Sequence, residues 1–375
     1  MCLLALACAA YAQYLRNQVC TQPVMLGRKK EIGTTEFLSI LFVVLSGLPF
    51  LIVAALRYRV GTDYAVYLSR QVPEVMVGDY HRVETLYRYL IQFAAYMMDG
   101  RSYQMIFVLT HLLIVGFVFA SIRRLSWDYR FSILVLFLTG WYNFSLNIMR
   151  QSIAVAIFLY AMRYIMEKKP VRYFIAITVG VFFHTTAVLF YPMYFAGVLK
   201  VKKRYIVPLL ILCYITKDYV VLLIEKIAGL LGYGKYFNNE FNFQTMQKGL
   251  LVYNAALLLL VFFGLWYFHS EKERTMEPAL LTRYDNLLVN TQVITTLLCL
   301  WAEIIPNSTR IIYSFIGIQI ILMPRVLRDQ AGRDKRLFWL YRLAILGIYL
   351  VMFVKMILIR NIGETNIYHS IFSLL

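Results

Sequence analysis

The chain has 375 residues, 61% hydrophobic and 15% charged, with a mean hydropathy of +0.64 and a formal net charge of +18. This composition excludes a water-soluble domain of such size and gives a multi-pass membrane protein. The 38 Lys and Arg form short clusters between apolar runs, which excludes a continuous nucleic-acid surface and fits topology signals and anionic lipid headgroups.

The opening stretch MCLLALACAAYAQYLR lacks a basic n-region and an A-x-A site, so it reads as a short first span over 2–15, not a signal peptide. Further spans are predicted near 37–56, 102–121, 131–147, 151–166, 204–223, 250–268, 287–303, 309–325 and 337–358. The expectation is one integral membrane domain over 1–375, an all-α polytopic bundle of about 10–12 membrane helices including broken or re-entrant ones. Outer loops are expected at 57–101 and 224–249. The first opens polar and ends amphipathic, with Arg82, Glu84 and Arg88 at the head of an interfacial or re-entrant helix over 83–98.

Segment 171–199 is flanked by Lys168, Lys169 and Arg172 before it and by Lys200, Lys202, Lys203 and Arg204 after it. Positive charge marks the cytoplasmic side, so both ends belong there and the segment folds into two short helices meeting near His184. The same rule puts the loops 16–36, 122–130, 163–172, 200–204, 269–283 and 325–342 inside; together they hold most of the basic residues. The five cysteines (Cys2, Cys8, Cys20, Cys213, Cys299) are scattered and form no C-x-x-C pair, which reads as small buried apolar residues.

With this topology the isolated polar residues at outer ends of spans are Arg57, Arg59, Asp63, Arg150, Gln151, His184, Glu303 and Arg310. Arginine suits a phosphate ligand because its planar fork is always charged and binds oxygens bidentately. The competing reading is an anchor that snorkels to the interface. Arg150 departs from that reading, since LNIM before it and QSIA after it leave almost no loop. Both flanking apolar runs have their far ends inside, so the chain turns at LNIMRQS.

Asp63, in RYRVGTDY, is open to two roles: an ion pair fixing its loop, or a general base or orienter of an arginine. His184, in FFHTTAVLFYP, is either a packed, hydrogen-bonded residue or a polar-cavity group at a helix break that Thr185 and Thr186 satisfy. Arg310, in IIPNSTRIIYSF, stands beside a ready helix N-terminus, a natural anion site. GLLGYGKY (Gly229 to Tyr236) nearly has P-loop spacing, but Tyr236 stands where Ser or Thr must hold magnesium. With no H-E-x-x-H, no G-x-S-x-G and no acidic run, hydrolase and metal-dependent readings have no support.

RYRVGTDYAVYL followed by ETLYRYLIQF, then NIMRQSIAVAIFLYAMRYI with the KKPVRYFIAITVGVFFHTTAVLFYPMY segment, then TRIIYSFIGIQIILMPRV and NIYHSIF, resemble in order the EpsG family. The likeness runs from about 37 to 372 and is sharpest at Asn147-x-x-Arg150-Gln151 and around His184. It implies a GT-C/Wzy-like helical protein of the bacterial cytoplasmic membrane that polymerises exopolysaccharide, capsule or O-antigen, its active site on the outer side. The family pattern marks Arg57, Asp63, Arg150, Gln151, His184 and Arg310 without assigning roles.

Such an enzyme transfers a growing glycan from polyprenyl (undecaprenyl) diphosphate to a hydroxyl of the next lipid-linked repeat unit. Diphosphate is a good leaving group once its charge is neutralised, so arginines suffice and neither metal nor cofactor is expected. For that reaction Arg150, Arg310 and Arg57 or Arg59, with Gln151, are expected on the diphosphate, and Asp63 or His184 is expected to take the acceptor's proton. Expected partners are the lipid-linked oligosaccharide, membrane lipids and a chain-length regulator. A lipid-linked glycan flippase would instead spread charge through the membrane depth and repeat its halves. A ligase, or a non-catalytic component of the same machinery, would use the same arginines.

Overall fold

A computed structural model describes residues 1–19, 33–80, 83–100, 104–200, 202–230, 234, 237, 248–267, 279–331 and 334–374. Among these residues the chain is helical, with one isolated antiparallel bridge between Arg57 and Ser370. The principal helices are α1 (Cys2–Val19), α2 (Thr34–Leu56), α3 (Thr85–Met97), α4 (Gln104–Leu125), α5 (Tyr129–Leu138), α6 (Trp141–Asn147), α7 (Met149–Met166) and α8 (Pro170–Phe183). They continue as α9 (Ile206–Ile215), α10 (Lys217–Leu230), α11 (Lys248–Phe262), α12 (Ala279–Leu300), α13 (Ser308–Ile316), α14 (Gln319–Ala331) and α15 (Lys335–Phe353).

Five helical stretches among the described residues are long and apolar enough to cross a membrane: Thr34–Leu56, Gln104–Leu125, Lys248–Leu265, Ser308–Arg328 and Lys335–Ile359. The pair α9 and α10, bent by 74°, makes a sixth as a broken span. The sequence pattern predicts one span over 131–147; the chain instead breaks at Gly140, whose φ of +69° ends α5 and starts α6. The first helix runs past 15 to Val19. The outer loop expected over 224–249 is still helix to Leu230, and most of its remainder lies outside the described residues.

Close packing follows from small residues where helices cross. Ala5, Ala9 and Ala12 line one face of α1 and are fully buried, and Ser39 on α2 donates to Ala12 O at 3.0 Å. Helix α7 is buried on nearly every side, which is why its sequence lacks an amphipathic stripe. In the other half of the bundle, neutral amides join the helices. Gln319 Nε2 on α14 donates to Asn254 Oδ1 on α11 (2.8 Å) and Gln292 Oε1 on α12 (3.1 Å), and Tyr349 on α15 donates to Gln319 Oε1 (2.9 Å).

The loops expected inside meet at one end. Arg16 donates to Ser126 O (2.8 Å), Tyr284 to Leu125 O (2.6 Å), Arg283 to Ile165 O (3.0 Å), and Arg342 pairs with Asp128 at 3.6 Å. A buried bidentate pair, Arg325 to Asp285 at 2.9 and 2.8 Å, ties α14 to α12 there. Gly197 packs against Ile165 and Arg283, so segment 171–199 returns to this end after the helix break at His184. Residues 57–63, the turn at 147–150 and the C-terminal tail gather at the opposite end.

Candidate functional site

At that opposite end the tail lies along the loop after α2. Tyr58 N donates to His369 O (2.8 Å), Gly61 N to Glu364 O (3.1 Å) and Thr62 N to Gly363 O (3.2 Å). Asn147, at the end of α6, sits between the two strips of backbone. Its carboxamide accepts from Thr62 Oγ1 (3.1 Å) and Asp63 N (3.4 Å) and donates to Gly363 O (3.0 Å). Gly61 (φ +98°) and Gly363 (φ +82°) flank it so closely that a Cβ would come within 2.6 Å and 2.5 Å of its side chain. Left-handed backbone and lack of room together demand glycine at both positions.

This frame presents Asp63 to Arg310, which reaches it from the first turn of α13: Arg310 Nη2 lies 3.3 Å from Asp63 Oδ2. A second pair forms beside it. Arg150, in the first turn of α7, binds Glu84 Oε2 at the start of α3, and the other Glu84 oxygen accepts the backbone N–H of Thr185 at 3.2 Å. The two pairs differ in exposure, with 15% and 16% for the side chains of Arg150 and Glu84 against 49% and 23% for Arg310 and Asp63.

His184 caps this arrangement. It breaks α8 in an extended conformation (φ −159°, ψ 126°), and its Nδ1 accepts the backbone N–H of Thr186 at 3.2 Å and lies 2.9 Å from Thr186 Oγ1. Glu84, on Arg150, also meets Thr185 next to His184, and Gln151, next to Arg150, donates to Arg310 O, so both pairs lie beside the helix break. Tyr67 is buried one turn beyond Asp63, its N–H on Asp63 O at 3.1 Å. Asp63, Tyr67, Glu84, Arg150, His184 and Arg310 are therefore one cluster, supplied by five separate stretches of chain. Such paired guanidinium groups can release their carboxylates to a bidentate anion.

The remaining residues singled out in the sequence lie elsewhere. Arg57 is fully buried: its guanidinium donates to Leu146 O and to Met149 Sδ (3.0 Å) and stacks over the Phe107 ring at 4.6 Å. It fastens the α6–α7 turn from below. Arg59 is exposed and lies over the Tyr58 ring at 5.2 Å. Gln151 is buried, with its amide on Arg310 O (3.0 Å) and Ser314 Oγ (2.6 Å), so it holds α13 against α7 and thereby aims Arg310. Glu303 pairs with Lys217 at 3.6 Å.

Glu84, Tyr67 and Asn147 belong to the site although the sequence singles out none of them as a site residue. Glu84 was legible only as the head of an amphipathic helix, and Asn147 only as part of the sharpest motif. Among the described residues, no three His, Cys, Asp or Glu side chains group as a metal site.

No curated protein and no solved structure matches the chain. The family model described as the EpsG family matches residues 40–369, a stretch that holds every residue of the cluster. The chain is a multi-pass helical membrane protein and belongs to the EpsG family.

Proposed function

We propose that this protein is a polysaccharide polymerase that moves a growing glycan from polyprenyl diphosphate to a hydroxyl of a lipid-linked repeat unit. The observation that carries the reading is the convergence of two arginine–carboxylate pairs, Arg150 with Glu84 and Arg310 with Asp63, beside the His184 helix break. Family membership supports the same reaction class. The opposite end of the bundle collects the basic loops, so the positive-inside rule favours the outer side of a bacterial cytoplasmic membrane for the cluster.

Arg150 and Arg310 take the diphosphate oxygens and neutralise the charge that grows as the anomeric carbon–oxygen bond breaks. Gln151 and Arg57 act as positioning residues, the first for Arg310 and the second for the Arg150 turn. Asp63 or His184 takes the acceptor's proton. A flippase would move the same lipid without lengthening its glycan. The gathering of these pairs at one end of the bundle, with neutral amides between α11, α12, α14 and α15, favours transfer over translocation.

Purified protein in liposomes carrying lipid-linked repeat units tests this directly. A polymerase gives a ladder of longer lipid-linked glycans; translocation of a labelled repeat unit with no ladder means a flippase.

A further inference from the structure

Three side chains of the cluster could accept a proton, and their surroundings separate them. Glu84 has both oxygens engaged, one by Arg150 and one by the Thr185 N–H, in the less exposed of the two pairs. His184 has its Nδ1 lone pair occupied by the Thr186 N–H, a donor that cannot reverse its role. A neutral imidazole has one N–H and one lone pair, so this contact fixes the ring proton on Nε2. The tautomer needed for Nε2 to act as a base would set Nδ1–H against the Thr186 N–H. Asp63 is held differently: its backbone N–H is anchored on Asn147 while its carboxylate meets the half-exposed Arg310 through a single 3.3 Å contact. Exposed pairs of this kind are weak and exchange partners readily.

We propose that Asp63 takes the acceptor's proton after the donor diphosphate draws Arg310 away from it, and that His184 serves as an Nε2–H donor to the leaving diphosphate. The inference rests on the polymerase reading and divides the labour within it. In the free protein Arg310 touches only Oδ2 of Asp63. Diphosphate oxygens offer Arg310 a better, bidentate partner, which frees Asp63 Oδ2 as well when donor is bound.

In the transfer step the acceptor O–H bond breaks and its proton goes to Asp63 Oδ2. The oxygen's electron pair forms the new bond to the anomeric carbon. The old bond from that carbon to the phosphate oxygen breaks with its electrons, leaving polyprenyl diphosphate with its added charge on Arg150, Arg310 and the His184 N–H.

The test is chain extension of lipid-linked repeat units in proteoliposomes by wild type, Asp63→Asn, His184→Ala, His184→Asn and His184→Gln, each with its thermal midpoint. Asn at 184 can keep the Thr186 cap but does not reach the Nε2 position; Gln reaches it with an N–H donor and has no basic lone pair. The proposal expects Asp63→Asn to lose about 100-fold or more, a general-base effect. It expects His184→Ala and His184→Asn to lose about 100-fold and His184→Gln to keep at least about a tenth of wild-type turnover. If His184→Gln falls as far as His184→Ala, or a folded Asp63→Asn keeps its activity, the assignment is overturned while the polymerase reading stands. A wild-type protein that extends no lipid-linked repeat unit overturns the polymerase reading itself.

Discussion

Glu84 binds Arg150 across 66 residues of sequence and, with its second oxygen, takes the backbone N–H of Thr185 beside His184. One carboxylate therefore joins the start of α3, the start of α7 and the break after α8. A charge-assisted contact in a half-buried setting is worth more than a surface pair, because less water competes for either partner.

Glu84→Gln keeps the shape and removes the charge. We expect turnover on lipid-linked repeat units to fall about tenfold or more, with the larger effect on KM if Arg150 then drifts from the diphosphate. Glu74→Gln, which breaks the exposed pair of Arg70 and Glu74 (55% and 23%), should change stability by less than about 0.5 kcal/mol and leave turnover alone. Equal effects from both substitutions would remove Glu84 from the site.

Much of the architecture was legible because lipid imposes long apolar runs and the basic residues cluster between them. The turn at Arg150, the break at His184 and the helix over 83–98 all followed from charge placed against hydropathy. The interior of the site did not, since Glu84 and Asn147 act through partners distant in sequence, and such pairings leave no periodic trace. Arg57 and Arg310 look alike in sequence, each an arginine at one end of an apolar run. Only packing separates them, one buried against Leu146 O and Phe107, the other half-exposed on Asp63.

Arg57→Ala should therefore act on folding. Leu146 O loses a buried donor and the Phe107 ring loses its cation, a cost of about 1–3 kcal/mol for the unsatisfied acceptor alone. Arg59→Ala, at an exposed position, should stay within about 0.5 kcal/mol. Thermal midpoints in detergent decide this, and a fully stable Arg57→Ala with a raised KM would return Arg57 to the diphosphate.

Gly61→Ala combines a left-handed backbone with a Cβ placed 2.6 Å from Asn147 Oδ1. The strain alone is of order 1–3 kcal/mol, and relieving it moves the Thr62–Asp63 backbone off Asn147. We expect a lower thermal midpoint and a loss of turnover greater than stability explains. Gly78→Ala, also at positive φ but with open space around its Cβ, should lose stability without that extra loss of turnover.

Orientation can be read by cysteine labelling in a background lacking the five native cysteines. Lys168→Cys and Glu364→Cys occupy exposed positions at opposite ends of the bundle. An impermeant thiol reagent applied to whole cells should label position 364 and leave 168 untouched. The reverse pattern would put the cluster on the cytoplasmic side and exclude the outer-face reaction.

That Arg150 and Arg310 hold the leaving diphosphate during glycan transfer is the core of the proposed reaction. It is tested most directly by measuring chain extension in proteoliposomes for wild type, Arg150→Ala and Arg310→Ala at saturating lipid-linked repeat unit, with folding checked by thermal midpoint. Losing one preorganised donor to developing negative charge lowers turnover by about 100- to 1,000-fold, so a wild-type ladder and almost none from either variant is the expected result. Ladders of wild-type length and rate from both folded variants would contradict it.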